Sequence, residues 1–426
     1  MRKQTFYQKT RLNNGSTLGV IKIPGAFPVT ISAYIKAGFR HDPSNRPGLA
    51  HFTEHMLFNG TKNYPSSALL SQSINQHGGW HDAFTWIEYQ RHMIHLPKLQ
   101  LKKGIEILFE TLVNPIINNE GLEQEKGVVK EEILKRRENP ETAIWDFAWN
   151  PLFFKGTCLS HPCTGVEKDV KNISTRDVGN FISDHFLADS TVFIVAGDVD
   201  FESSVKLFDE YSTIYNRKSF LHSQNEVSNS GERVKVNFID SDQTAIMFGV
   251  KTIPYAHQDR HVLDFITDCL GGYFGARLPQ RLRDEGGLIY NWNMWQDNLD
   301  ETGYLFFSAS ASKENQYKIT SLVKEEFEKL SNKKLSDSDM KLAKGHITGS
   351  LISNMETVTD FARWYGFQES MRGKSISPNE QENMYKKISS QEVFEVASKY
   401  FQKNNFYIAA IGPTDAEKLG KSLEEK

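Results

Sequence analysis

Apolar residues follow a plan that the chain uses twice. Residues 190–200, STVFIVAGDVD, form an apolar run ending in a Gly turn, with a helical pattern from Glu202. Residues 405–415, NFYIAAIGPTD, repeat it near the C-terminus, again with a helix after it. Upstream, residues 29–38 alternate like a strand, and residues 243–250 take the equivalent place in the second half. Strands mixed with long helices in each half predict an α+β fold of two homologous domains. Residues 216–233 are polar, with Ser and Asn clusters and one Gly, and read as a connection. The expected division is a first domain over 1–218, a linker over 219–232 and a second domain over 233–426.

The pattern over residues 48–58, GLAHFTEHMLF, predicts a helix, with Pro47 suited to its first turn and Asn59-Gly60 to its stop. It contains His51-Phe52-Thr53-Glu54-His55. On a helix, His51 and His55 lie one turn apart on one face, where two imidazoles can clamp one zinc ion. Glu54 borders that face and can reach a metal-bound water without being a ligand. H-x-x-E-H is the inverzincin signature, although a five-residue pattern also arises by chance.

A third ligand is best supplied by residues 123–138, EQEKGVVKEEILKRRE, which are helical in composition. Glu125 and Glu132 are seven apart and fall on nearly the same face, with Val128 and Val129 between them. Glu131 points away from that stripe. A carboxylate beside a valine seam is costly unless a metal or partner relieves it. The alternative is an exposed charged helix laced with i, i+4 pairs.

These residues resemble the pitrilysin/insulysin family of zinc peptidases, which includes mitochondrial processing peptidase. There the inverted motif is followed by E-x-x-x-V-x-x-E, and residues 125–132 fit. The resemblance implies that Glu132 is the third ligand, with Glu131 the runner-up, and that Glu125 orients a ligand histidine. It also covers L-R-x-x-x-x-L-x-Y at residues 282–290. Tyr290 is implied to hydrogen-bond the developing oxyanion and Arg283 to anchor substrate carbonyls.

Residues 82–85, Asp-Ala-Phe-Thr, stand where relatives carry Asn-Ala-x-Thr on a substrate-pairing edge strand. Asp82, Ala83 and Phe84 are therefore implied substrate contacts, although an ionised Asp cannot donate the hydrogen bond an Asn would. His81 beside them reads as exposed. The second half keeps one histidine, His261, at the matching helix, so one Zn²⁺ per chain is expected.

The implied fold is a mostly antiparallel sheet covered by helices in each domain, forming a clam-shell chamber on dimerisation. Short family members pair two chains, the metal site of one facing the Arg–Tyr segment of the other. A homodimer is expected, with pairing to a related, inactive chain the alternative. The implied activity is endopeptidase cleavage of peptides bound as an added strand, Glu54 activating the water. A silent scaffold or substrate-recognition subunit is the competing reading, and ligand completeness speaks against it.

Composition adds exclusions. The 426 residues exceed one ordinary core. A net charge of −3 gives no electrostatic case for nucleic acid or membrane binding. No apolar run approaches a membrane span, and the N-terminus lacks the apolar core of a signal peptide or an evident transit segment. Three cysteines in so long a chain fit a reducing compartment and a cytoplasmic location. Cys158 and Cys163 around His161 match no standard zinc spacing, and Cys269 reads as a buried free thiol.

Overall fold

The computed structural model describes residues 6–215 and 231–424. The expected linker thus lies, as far as residue 230, outside the described residues. The first half contains strands β1 (Phe6–Arg11), β2 (Thr17–Lys22) and β3 (Pro28–Ile35), then helices α1 (Leu49–Leu57) and α2 (Ser67–Asn75). Strands β4 (Trp80–Thr85) and β5 (Gln90–Pro97) follow, then α3 (Leu101–Val113), α4 (Asn119–Glu138), α5 (Thr175–His185), β6 (Thr191–Gly197) and α6 (Phe201–Ser212). The second half contains β7 (Val234–Asn237), β8 (Gln243–Thr252), α7 (Arg260–Gly271), β9 (Trp292–Asn298) and β10 (Gly303–Ser312). After them come α8 (Gln316–Asn332), α9 (Asp337–Ser353), α10 (Val358–Arg372), α11 (Ser390–Tyr400) and β11 (Phe406–Ile411).

The twofold plan is visible in the sheets. One has the order β1-β2-β6-β3-β5-β4 and the other β7-β11-β8-β10-β9. Without β1, the two orders correspond strand for strand. In each, one parallel pair (β2 with β6, β7 with β11) sits beside antiparallel neighbours. The mixed, mostly antiparallel α+β architecture is the expected one.

The compact units are not the two contiguous halves. One comprises residues 1–134, 163–224 and 355–376, the other 135–162, 225–354 and 377–426. The division at 1–218 and 233–426 is corrected by these exchanged segments. The reason is that each sheet has two apolar faces to cover. In the first unit, Phe109 of α3 and Phe208 of α6 pack against Phe193 on one face. On the other, Phe361, Ala362 and Tyr365 of α10 join Tyr34, Val192 and Ile194. A Cβ on Gly366 would meet the Tyr34 ring at 2.1 Å, so glycine sets how closely α10 approaches. In the second unit, helices α7, α8 and α11 cover one face of the sheet. Trp145 packs on Tyr304 and Phe306 on the other, with centroids at 5.6 and 5.1 Å. Among the described residues, no helix is long and apolar enough to cross a membrane. Cys269 is a buried free thiol, as expected.

Candidate metal centre

Helix α1 starts one residue later than its composition suggests, at Leu49, with Pro47 outside it and Gly48 as N-cap at φ 85°. Only glycine takes this conformation readily, and a Cβ there would lie 2.5 Å from the Thr164 carbonyl. The cap comes from a distance. Both carboxylate oxygens of Asp42 accept backbone bonds, from Gly48 and Ala50, each at 2.7 Å. Burial pushes Asp42 up to about 8 while these two bonds pull it down. Gln90 on β5 adds a tie, donating to the Ala50 carbonyl at 2.7 Å.

On this helix the His51 and His55 rings lie 4.7 Å apart. Helix α4 brings Glu132 against them, with Oε2 at 3.5 Å from His51 Nε2 and 3.6 Å from His55 Nε2. One ligand atom from each of the three lies within 4.8 Å of the others, and no second such group occurs among the described residues. Donors on a tetrahedral zinc at about 2.1 Å are roughly 3.4 Å apart, and the two distances from Glu132 to the histidine nitrogens match that spacing. The other ring nitrogen of His55, Nδ1, is 3.2 Å from Glu125 Oε2, which leaves Nε2 for a metal. Burial lowers the His55 pKa, but hydrogen bonds to Glu125 and Glu132 outweigh it and lift the ring to about 9. A pocket that favours positive charge between two imidazoles and a carboxylate suits a dication. Glu131 is exposed, whereas Glu132 is half-buried, in keeping with the facial reading of α4. The valine seam is half right: Val129 is fully buried, but Val128 is 49% exposed.

Glu54 follows on the same helix and its side chain meets the edge strand β4. The Thr85 hydroxyl donates to Glu54 Oε2. Burial pushes the Glu54 carboxyl above its ordinary value; the Thr85 bond and the charge on His55 pull it back, and Glu132 and Asp82 add to the rise. A carboxylate so tuned is suited to take and return a proton. Thr85 and Asp42 are the residues that sequence reasoning missed. Thr85 lay in the quoted D-A-F-T segment; Asp42 lies outside any local capping spacing.

Strand alternation separates the residues expected to touch substrate. His81 and Thr85 face the helices, His81 through Ser71 of α2 at 3.2 Å. His81 also stacks on Phe58 at 4.6 Å, so its expected exposure is corrected: the ring is half-buried and its pKa is lowered by burial. By strand alternation, Ala83 shares that face. Asp82 and Phe84 face the other way. Arg91 donates to Asp82 Oδ2 at 2.6 Å and lies over the Phe84 ring at 5.4 Å. What β4 leaves unpaired within its own sheet is its backbone edge, since β4 is the last strand in the order.

In the other unit, Arg283 lies on a one-turn π-helix, Gln280–Asp284, of the kind that often marks functional positions. Its guanidinium sits over the Phe274 ring at 5.0 Å and 3.3 Å from Asp284. Tyr290 is 78% exposed in the connection before β9. His261 is engaged by Gln381 at 2.8 Å.

Comparison with known proteins matches two family profiles. Residues 21–158 match insulinase (peptidase family M16), and residues 172–346 match the peptidase M16 inactive domain. An uncharacterized zinc protease of Rickettsia felis is 25% identical over 412 residues, covering 95% of this chain and 97% of that protein. The beta subunit of the mitochondrial-processing peptidase of Blastocladiella emersonii is 23% identical, covering 96% of this chain and 89% of its own. The solved structure of a protease from Helicobacter pylori superposes with a TM-score of 0.86 at 19% identity, over 97% of this chain and all (100%) of that one. A peptidase M16 inactive domain structure from Pseudomonas fluorescens gives 0.88 at 16% identity, over 96% and 98%. At these identities the structural likeness speaks for the fold.

Proposed function

Because the chain belongs to peptidase family M16, a family of zinc proteases, we propose that it is a zinc-dependent endopeptidase acting on peptides held in extended form. The observation that carries this reading is the convergence of His51, His55 and Glu132 within 4.8 Å of one another, with Glu54 directly before His55 on the same helix. His51, His55 and Glu132 would hold the ion, and Glu125 would fix the His55 ring. Bound zinc supplies Lewis acidity to a carbonyl and acidifies a water.

The residues of the chain do the rest. Glu54 accepts a proton from the attacking water and delivers it to the leaving amine nitrogen. Thr85 holds Glu54 toward the edge strand. The open edge of β4 pairs with the substrate backbone, so side-chain pockets, not Asp82, set preference. Tyr290 would donate to the oxyanion and Arg283 would hold substrate carbonyls. We propose further that these last two come from a second copy of the chain, in a homodimer with two active sites. A silent scaffold or partner-dependent subunit is less well supported, because every ligand position is filled.

The test is hydrolysis of a mixed library of quenched peptides by the wild-type protein and by Glu54→Gln at equal zinc content. Cleavage by wild type alone supports the proposal. Equal cleavage by both, or none by either with zinc bound, overturns it.

A further inference from the structure

The segment that carries Arg283 is held by a carboxylate that the proposed chemistry does not use. Glu326 of α8 is buried, its side chain 5% exposed, and it meets three cations. Arg277 Nε donates to its Oε2 at 3.1 Å, and Arg277 Nη2 lies 2.9 Å from the same oxygen. Arg281 donates to Oε1 at 2.8 Å and Lys329 to that oxygen at 2.7 Å. Burial acts to raise the Glu326 carboxyl, but the Lys329 bond and the charges of Arg277, Lys329 and Arg281 outweigh it and hold its pKa below the ordinary value. Glu326 is thus ionised, and hydrogen bonds to a buried ionised group are the strong ones. The neighbouring Glu325, which pairs with the outer nitrogen of Arg281, is half-exposed, where ion pairs contribute little.

The two arginines bracket the π-turn. Arg277 lies in the helical turn Arg277–Pro279 just ahead of it, and Arg281 lies within Gln280–Asp284. The π-turn is closed by the Glu285 N–H on the Gln280 carbonyl, five residues back, at 2.9 Å. Such turns are rare, so this one needs support from its surroundings. Glu326 grips it from the α8 side, while Arg283 lies over Phe274. The same turn governs Tyr290. Gly287 donates its N–H to the Arg283 carbonyl at 3.0 Å, and Leu288 to the Leu282 carbonyl at 2.8 Å. Leu282, Leu288 and Ile289 are buried in the core of this unit, and Tyr290 follows them to the surface.

We propose that Glu326 is a positioning residue for peptide hydrolysis. By holding Arg277 and Arg281 it fixes the π-turn, and through the turn's backbone bonds it fixes the placement of both Arg283 and Tyr290. Glu326 itself touches no substrate; it acts through the arginines. The proposal rests on the reading that Arg283 and Tyr290 serve the reaction, and it adds what sets their geometry. Groups that hold a reacting substrate must be placed closely: a shift of about 1 Å can cost on the order of 100-fold in rate. Glu326→Gln keeps the shape but removes the charge, and turns an NH₂ donor toward Arg277 or toward Arg281 and Lys329. Without the grip, the π-turn relaxes and both groups move together.

The experiment places Glu326→Gln in the full-length, zinc-loaded protein and in a background of Arg283→Ala with Tyr290→Phe. Arg281→Met, which leaves Glu326 two cations, runs alongside as the gentler change, and Glu325→Gln serves as the control. In the wild-type background Glu326→Gln should lower kcat/KM about tenfold or more; in the other background it should cost at most about twofold, because its effect runs through those two residues. Glu325→Gln should stay within about twofold of wild type. Hydrogen exchange gives a readout without activity: amides of residues 285–290 should exchange about tenfold faster in Glu326→Gln, with residues 49–57 and zinc affinity unchanged. Equal losses of kcat/KM in both backgrounds overturn the proposal, since a general loss of folded protein would do that. Unchanged kcat/KM, or unchanged exchange at 285–290, in both Glu326→Gln and Arg281→Met also overturns it. The two readings fail separately. Faster exchange at 285–290 with an Arg283→Ala, Tyr290→Phe protein of full activity sinks the assigned roles of Arg283 and Tyr290, whereas an impaired Arg283→Ala, Tyr290→Phe protein with Glu326 variants of full activity sinks this one alone.

Discussion

Thr85 donates its hydroxyl to Glu54, so the last residue of edge strand β4 holds the acid of helix α1. Thr85→Val keeps the shape and removes the donor. A hydrogen bond to a charged group contributes about 1.5–3 kcal/mol, so kcat should fall roughly 10- to 100-fold. Zinc content and KM should stay unchanged, and Thr85→Ser should restore most of the rate. Steady-state kinetics with metal analysis checks this; a Thr85→Val enzyme of full kcat would show that the contact does not position the base.

Glu132 and Glu125 face the two histidines differently, and their variants should differ in kind. Glu132→Gln removes a ligand charge and should leave the purified protein without stoichiometric zinc. Glu125→Gln keeps all three ligands but weakens the partner of His55 Nδ1, and should cost about 10- to 100-fold in zinc affinity. Competition with a chelator of known affinity measures both. Equal losses would contradict the assignment of Glu132 as ligand and Glu125 as its support.

If Tyr290 serves the metal centre of a second copy, two inactive variants should rescue each other. In a mixed dimer of Glu54→Gln and Tyr290→Phe, one site carries both changes and the other carries neither. Random mixing should then restore about a quarter of wild-type activity. Each variant is assayed alone and after mixing at the same total concentration. A mixture no more active than the mean of its parts would place both residues in one chain's site, or show that no dimer forms.

His92, buried beneath α1 and 3.1 Å from Gln90, makes the fold acid-sensitive. Burial, then the charges of Arg91 and His81, lower its pKa from 6.5 to about 3. Below about pH 6.5 the unfolded chain takes up this proton and the folded chain does not. Stability from this group is therefore complete above pH 6.5 and is lost as pH falls toward 3, by up to about 1.4 kcal/mol per pH unit. His92→Leu should flatten the decline by that amount between pH 6 and pH 4. Urea unfolding of metal-free wild type and variant gives the two slopes, and parallel slopes would rule out His92 as the cause.

Asp42 holds the start of α1 with both oxygens on backbone N–H groups. Asp42→Asn would turn an amide donor toward one of them, leaving an unsatisfied buried pair. A loss of about 1–3 kcal/mol in stability is expected, with weaker zinc binding because α1 carries both histidines. Thermal unfolding with and without zinc tests this, and a variant as stable as wild type would show that Asp42 is not needed as the cap.

What the sequence determined by itself is what depends on short spacing. His51 and His55 share a face because a helix repeats every 3.6 residues, and Glu125 and Glu132 share one for the same reason. The repeated strand–helix plan was legible because each copy is written in continuous apolar runs. Tertiary structure decided the rest. It brought α1 against α4, set Thr85 on Glu54 and Asp42 on Gly48, stacked His81 on Phe58, and turned Asp82 toward Arg91 on the other face of β4. It also sent residues 135–162 and 355–376 each into the compact unit that holds most of the other half. No local pattern encodes these outcomes. They follow from covering both faces of each sheet and from satisfying buried polar groups, and both requirements are met by residues far apart in the chain.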